Sequence, residues 1–204
     1  MLFLSGGGLD SVAYIILEHK NIDTVMSVDY GQVGFSEEVE ATKNICKKYG
    51  LNHIIEYTSI ISEYNRGRDV SLFTGNIEDD AYVNGRNLAL IMLALKYDKD
   101  IMLGFTNPGY KPFPDADEEF VALADEMIKR VFRGEGSVIA PYINTLRTDV
   151  FKEAYKLDNE LFDISMTCWT PKNGKECGEC KHCKLKKQQK ELVISQLKEE
   201  KFII

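Results

Sequence analysis

The chain of 204 residues is 44% hydrophobic with a formal charge of −7 and an isoelectric point near 5.1. That length and apolar content support one substantial core, and the acidic balance excludes a broad basic face for wrapping nucleic acid, so a small molecule is the expected partner. No apolar run is long enough to span a membrane, and Met1 leads straight into the first predicted strand, so neither a membrane span nor a cleaved leader is expected and a cytoplasmic location is.

Residues 1–4 read as a short strand that opens into Ser5-Gly6-Gly7-Gly8-Leu9-Asp10-Ser11 and then a helix with Val12, Ile15 and Ile16 on its apolar stripe. Three consecutive glycines let the backbone approach an anion closely, and Ser11 with the first helical amides adds donors at the positive helix end. No Lys-Ser or Lys-Thr follows, which excludes a Walker A loop, and the spacing is not G-x-G-x-x-G. Taken alone, the stretch is either an anion cradle or a glycine-rich turn without a ligand.

Further along, residues 24–29 form a second strand, 37–49 a helix ended by Gly50, and 52–57 a third strand. Strands separated by helices imply a parallel sheet with right-handed crossovers, which binds ligands outside the carboxyl ends of its strands. Residues 59–80, with Arg66, Arg68 and Gly75, are polar and irregular and are expected to form a mobile loop. Residues 87–97 are apolar almost all round, the mark of a central buried helix, and 100–105 supply a fourth strand. Phe120, Ala124, Met127, Ile128 and Val131 share one face of a helix over 117–132, 137–141 is a fifth strand ended by Pro141, and 148–157 is another helix. Beyond Asp158 the composition turns to cysteine, lysine and glycine, then to a charged helix over 184–200. The expected organisation is an α/β domain over 1–158, with residues 159–204 as a metal-binding segment and tail helix packed on it.

Five cysteines, four of them between positions 168 and 183, suit metal binding in a reducing compartment better than a disulfide framework. Cys168-x8-Cys177-x2-Cys180-x2-Cys183 offers four thiolates, which close a tetrahedral shell with no open position, so a structural Zn²⁺ is expected. The competing iron–sulfur pattern continues Cys-x3-Cys-Pro, which is absent here. His182 is expected to be exposed rather than a ligand, and Cys46 to be a core residue. No histidine lies in a motif, so no acid–base histidine is assigned.

One ordered set of motifs joins the glycine loop to Asp29-Tyr30-Gly31-Gln32, Val83-Asn84-Gly85-Arg86-Asn87, Pro112-Phe113-Pro114-Asp115 and the four cysteines. Over residues 4–186 the chain resembles the 7-cyano-7-deazaguanine synthases, the QueC family of PP-loop ATP pyrophosphatases. The resemblance implies a Rossmann-like parallel five-stranded sheet with helices on both faces and a C-terminal four-cysteine zinc segment. It implies two rounds of ATP and ammonia that carry 7-carboxy-7-deazaguanine to the amide and then the nitrile, each releasing AMP and pyrophosphate. Leu4, Ser5, Gly6, Gly7, Gly8, Leu9, Asp10 and Ser11 would hold the pyrophosphate of ATP with its Mg²⁺, and Asp29, Gln32 and Asn87 would line the nucleotide pocket. Arg86 and Arg147 would meet the leaving-group charge, and Asp115 beside Phe113 the donor edge of the deazaguanine. Asp10, Ser11, Arg86, Asp115 and Arg147 are thus the expected catalytic set. No membrane or direct nucleic-acid partner is implied, and a homodimer is among the assemblies to be expected.

Local readings stay open beside these. Arg86 also reads as an exposed helix-start residue, Asn87 as a helix cap, and Asp115 with Glu118 as a capping box. Against the family pattern Gly6 stands where serine is usual, Val33-Gly34 replaces Arg-His, Ala116 replaces cysteine, Arg147 replaces lysine and Lys186 replaces arginine. Three functions remain: a QueC-type ligase making the nitrile or only the amide; another PP-loop enzyme of tRNA thiolation or amidation; and a non-catalytic nucleotide- or nucleic-acid-binding module using the lysines of 181–190.

Overall fold

The computed structural model describes residues 1–61 and 83–202; from position 62 onward, the loop expected over 59–80 lies outside the described residues. Five strands, β1 (Leu2–Leu4), β2 (Thr24–Asp29), β3 (Asn52–Tyr57), β4 (Asp100–Leu103) and β5 (Ser137–Ile139), form one sheet in the order β3-β2-β1-β4-β5. Every pairing is parallel, with Leu4 opposite Met26 on one side and Leu103 on the other. The described helices are α1 (Leu9–Glu18), α2 (Phe35–Tyr49), α3 (Arg86–Ala94), α4 (Glu118–Val131), α5 (Arg147–Leu157), α6 (Leu161–Ile164) and α7 (Lys181–Phe202).

Side-chain alternation along the strands builds two cores. Phe3, Val25 and Met102 point to one face, where they pack with residues of α1, α2, α5 and α6 and with Val193 of α7. Leu2, Met26, Ile101 and Leu103 point to the other, against Ile91 and Ala94 of α3 and Ala124 and Ile128 of α4. Each large apolar side chain buried this way contributes about 1.5–3 kcal/mol. Parallel strands with both faces covered must be apolar in succession, which is why β1, β2 and β4 carry little alternation of polarity. The order reverses between β1 and β4: the first crossovers step outward through α1 and α2 on one face, and α4 steps the opposite way on the other. That reversal opens a crevice above the carboxyl ends of β1 and β4.

Several element ends differ from the expectation for identifiable reasons. β4 stops at Leu103, not Phe105, because its neighbour β1 leaves the sheet at Leu4; β5 stops at Ile139, opposite Met102 and one residue short of the end of β4, and Pro141 follows two residues on. α3 gives way after Ala94 to a tight turn in which the Lys96 amide bonds Leu93 three residues back. α6 is a four-residue helix that carries too little periodicity to be read. Helix α7 begins at Lys181 rather than 184, taking Cys183 into its first turn. Among the described residues no helix is long and apolar enough to cross a membrane.

Tyr14 ties α1 to the carboxyl end of β4. It is fully buried, stacks on Phe3 with ring centroids 5.7 Å apart, donates its hydroxyl proton to the Phe105 carbonyl and accepts from the Tyr142 amide at 3.1 Å. Replacement by phenylalanine keeps the packing but strands two backbone groups. Tyr14→Phe is therefore expected to lower stability by about 1–3 kcal/mol, read as a lower urea midpoint at unchanged slope.

Candidate active site

The glycine loop occupies the carboxyl end of β1, beside the crevice. Gly7 has a left-handed φ of +65°, and a Cβ there would run into the Glu38 backbone, with Glu38 Cα 2.8 Å away. Only glycine lets the first turn of α2 close this tightly on the loop. At Gly6, by contrast, a Cβ would meet nothing within 4 Å among the described residues. The Ser5 hydroxyl is buried, hydrogen-bonded to Thr42 Oγ1 at 3.0 Å and accepting from the Gly7 amide at 3.2 Å. Ser11 Oγ accepts from the Gly6 amide at 3.1 Å, which leaves its own proton for another acceptor. Gly8 is the N-cap of α1, and the helix's first-turn amides at Leu9, Asp10 and Ser11 have no intrahelical acceptor, so they present donors where the macrodipole is positive. The Leu9 side chain itself belongs to the core.

Two cavities meet over this loop. The larger, about 320 Å³, is walled by Leu4, Ser5, Gly6 and Ser11, by the end of β2, and by Gln32, Glu38, Arg86 and Asn87. The smaller, about 140 Å³, is walled by Asp10, Thr106, Tyr110, Phe113 and Arg147. Gly104 and Phe105, just past β4, belong to both.

Within the larger cavity, the Gln32 amide group donates to the Val28 carbonyl and accepts from the Tyr30 amide, both at 3.0 Å, pinning the turn after β2. The Asp29 carboxylate accepts from the Gly31 amide at 2.9 Å. It is turned onto its own loop, outside the cavity wall. Asn87 is not the cap of α3, since Gly85 holds that position; its Nδ2 donates to the Asp115 carbonyl at 2.7 Å. Burial pushes the Glu38 carboxyl up to about 7, against the opposing pull of the Gln32 amide and the Arg86 guanidinium. Arg86 also lies against the Tyr30 phenol and near Asp115. It faces the cavity, not open solvent.

In the smaller cavity Asp10 Oδ1 accepts from Arg147 Nε at 3.0 Å and from Thr106 Oγ1 at 2.9 Å. Arg147 is itself set by its amide bonding the Asn107 carbonyl at 2.8 Å. Asp115 corrects the capping-box expectation: the cap of α4 is Asp117, whose carboxylate accepts from the Phe120 amide at 2.8 Å. Asp115 is only 8% exposed and its Oδ2 has no hydrogen-bond partner among the described residues. Burial raises its carboxyl above the usual range.

Glu38 and Thr106, which wall the two cavities, lie outside every motif read from the sequence, and Tyr30 lies within one that gives it no role of its own. For Glu38 a signal existed, because it falls in register with Ala41, Thr42 and Ile45, the buried stripe of α2. A carboxylate on an apolar stripe is unusual.

Cys168, Cys177, Cys180 and Cys183 place their sulfurs within 4.8 Å of one another. Amides of Cys177, Cys180 and Cys183 donate to sulfurs at 3.2, 3.3 and 3.4 Å, the environment that orients thiolates for a metal. The donor set fits one tetrahedral ion. His182 is half-buried, not exposed as expected, because the early start of α7 stacks its ring on Trp169 at 3.9 Å. Cys46 is buried in the core and its thiol is pushed up to about 12 by burial.

A doubly wound α/β sheet with a glycine loop and a cleft at its switch point defines the class of protein. The model of queuosine biosynthesis protein QueC matches residues 1–192, and the chain belongs to that family. A 7-cyano-7-deazaguanine synthase of Leptospira interrogans is 27% identical over 206 residues, covering 91% of this chain and 84% of the relative. One of Clostridium botulinum is 25% identical with 89% and 90% covered, and one of Methanosphaera stadtmanae 26% identical with 89% of each covered.

The two loop glycines separate cleanly by substitution. Gly7→Ala is expected to cost about 2–4 kcal/mol through left-handed strain and overlap, whereas Gly6→Ala should stay within about 1 kcal/mol. Urea unfolding of both variants measures this.

Proposed function

We propose that the chain is an ATP-dependent carbon–nitrogen ligase that converts 7-carboxy-7-deazaguanine and ammonia to 7-cyano-7-deazaguanine through an adenylate and an amide. The observation that carries the reading is the pair of cavities joined at Gly104 and Phe105, one floored by the glycine loop and the other walled by aromatic rings beside an arginine. Family membership and the names of its relatives support the same substrate.

A carboxylate is a poor acyl donor, so it first attacks the α-phosphorus of ATP, and pyrophosphate leaves. In this reading ATP takes the larger cavity, with pyrophosphate on the α1 amides and the Ser11 hydroxyl. Both hydrogen bonds to Asp10 fall on Oδ1, so its other oxygen would be the one to hold Mg²⁺, which would neutralise charge on the phosphates. Arg86 meets the leaving-group charge. The deazaguanine takes the smaller cavity, its ring against Phe113 and its own carboxylate toward Arg147, with Asp115 behind the wall near Arg86. Ammonia then forms the C–N bond at the acyl carbon, the C–O bond breaks with its electron pair leaving on AMP, and the released proton passes to the Glu38 carboxylate. In the second round the amide oxygen attacks the α-phosphorus of another ATP and pyrophosphate leaves; elimination then breaks that C–O bond with its electron pair leaving on AMP, the two N–H protons pass to solvent, and the nitrile remains. Zn²⁺ on the four cysteines would stabilise the fold and take no part in the reaction.

Incubation with Mg-ATP, ammonium and 7-carboxy-7-deazaguanine, followed by mass spectrometry, is expected to yield AMP and the nitrile together. Amide alone limits the chain to one round, and AMP formation indifferent to the deazaguanine overturns the reading. Because Glu38 must be ionised to accept the proton, the rate at fixed free ammonia should fall as the pH drops through about 7. Glu38→Gln should lose that limb and turn over about 10²-fold more slowly. Metal analysis should find one zinc per chain in a colourless protein; a coloured protein holding iron and inorganic sulfide would overturn that assignment.

A further inference from the structure

The segment from Ser165 to Cys168 runs behind the glycine loop. The Met166 amide donates to the Gly7 carbonyl at 2.9 Å, and a Cβ on Gly8 would lie 3.7 Å from the Met166 carbonyl. The same segment also meets the turn into α2, where a Cβ on Gly34 would lie 3.4 Å from the Cys168 carbonyl. Thus the residues that lead into the first cysteine touch both the loop and the turn that precedes Glu38.

One charged pair holds this segment in place. Lys186 Nζ donates to the Ser165 carbonyl at 2.6 Å and to Glu176 Oε1 at 3.0 Å. That oxygen also accepts from the Thr167 amide at 2.9 Å and from the Thr167 hydroxyl at 3.1 Å. The Lys186 side chain is only 10% exposed. Thr167 precedes Cys168, Glu176 precedes Cys177, and Lys186 lies one turn beyond Cys183, so the contacts link three parts of the cysteine knuckle. A half-buried carboxylate with several converging donors is a rigid junction, and removing the ammonium would leave both the carboxylate and a carbonyl short of a partner.

We propose that Lys186 and Glu176 are positioning residues for the phosphate-binding loop: through Ser165 and Met166 they hold Gly7, and with it the direction of the donors at the start of α1. The cysteine knuckle thereby serves as the back wall of the nucleotide site as well as a fold staple. This rests on the reading of the glycine loop as a phosphate cradle.

The test uses the full chain with its metal and follows Mg-pyrophosphate and Mg-ATP binding by calorimetry, beside metal content and thermal midpoint. Lys186→Met is expected to keep its metal and bind pyrophosphate roughly tenfold more weakly, while Lys186→Arg recovers most of the affinity. In turnover the KM for ATP should rise and the KM for the deazaguanine stay unchanged. Lys190→Met, on the same helix but paired with Asp163, should bind as the unsubstituted chain. Wild-type affinity in a metal-loaded Lys186→Met protein overturns the proposal, as does equal weakening by Lys190→Met. If Lys186→Met loses metal or fails to fold, Glu176→Gln takes its place under the same criteria. Failure of the unsubstituted chain to bind pyrophosphate or ATP would instead sink the phosphate-loop reading, and this proposal with it.

Discussion

The site depends on one close approach, that of Gly7 to the backbone of Glu38. The chain leaves the sheet at Leu4 and must enter α1 within a few residues, and the absent Cβ at Gly7 lets α2 press against the loop while it turns. Its carbonyl, on the other side, takes the Met166 amide. Gly7 is therefore gripped from α2 and from the cysteine segment at once. That grip holds the Ser5 hydroxyl against Thr42, Glu38 against the cavity and the α1 amides in the crevice. Flexibility of glycine is not the point here; the lack of a side chain lets three elements meet at one place.

The charged groups of the cleft obey a second constraint. Each carboxylate has a cation from a distant part of the chain: Asp10 of α1 is paired with Arg147 of α5, and Glu38 of α2 and Asp115 both lie near Arg86 of α3. Burial works against ionisation at Glu38 and Asp115, and Arg86 works for it. A single arginine between two partly desolvated carboxylates is held in place with little cost in side-chain entropy, and its charge is less screened than at a surface. Arginine at position 147 also suits its task, since a planar guanidinium can keep Nε on Asp10 while its other nitrogens face elsewhere.

Residues whose local pattern allows two readings share a cause. Asp115 and Glu118 carry the spacing of a capping box, yet Asp117 performs the capping and Asp115 turns inward, because the chain before α4 must also bring Phe113 to the smaller cavity. Asp29 closes its own turn, as aspartate does when an amide two residues on is within reach. From its neighbours in sequence His182 reads as exposed, and the extra turn at the start of α7 stacks it on Trp169 instead. In each case a short-range preference had two outlets, and the neighbouring element chose between them.

What the sequence determined by itself is everything that rests on local spacing. The order of the strands and longer helices, the glycine loop at the end of β1, the buried stripes of α1 and α2 and the four-cysteine spacing all follow from relations a few residues long, where covalent geometry limits the choices; on α4 only Ala124 and Ile128 of the expected stripe are fully buried, while Met127 and Val131 are exposed. The tertiary structure alone decided the strand order β3-β2-β1-β4-β5, the reversal that opens the cleft, and the meetings of Asp10 with Arg147, Glu38 with Arg86 and Met166 with Gly7. These join residues far apart in the chain through contacts that exist only once both faces of the sheet are covered, and no periodicity within either partner records them.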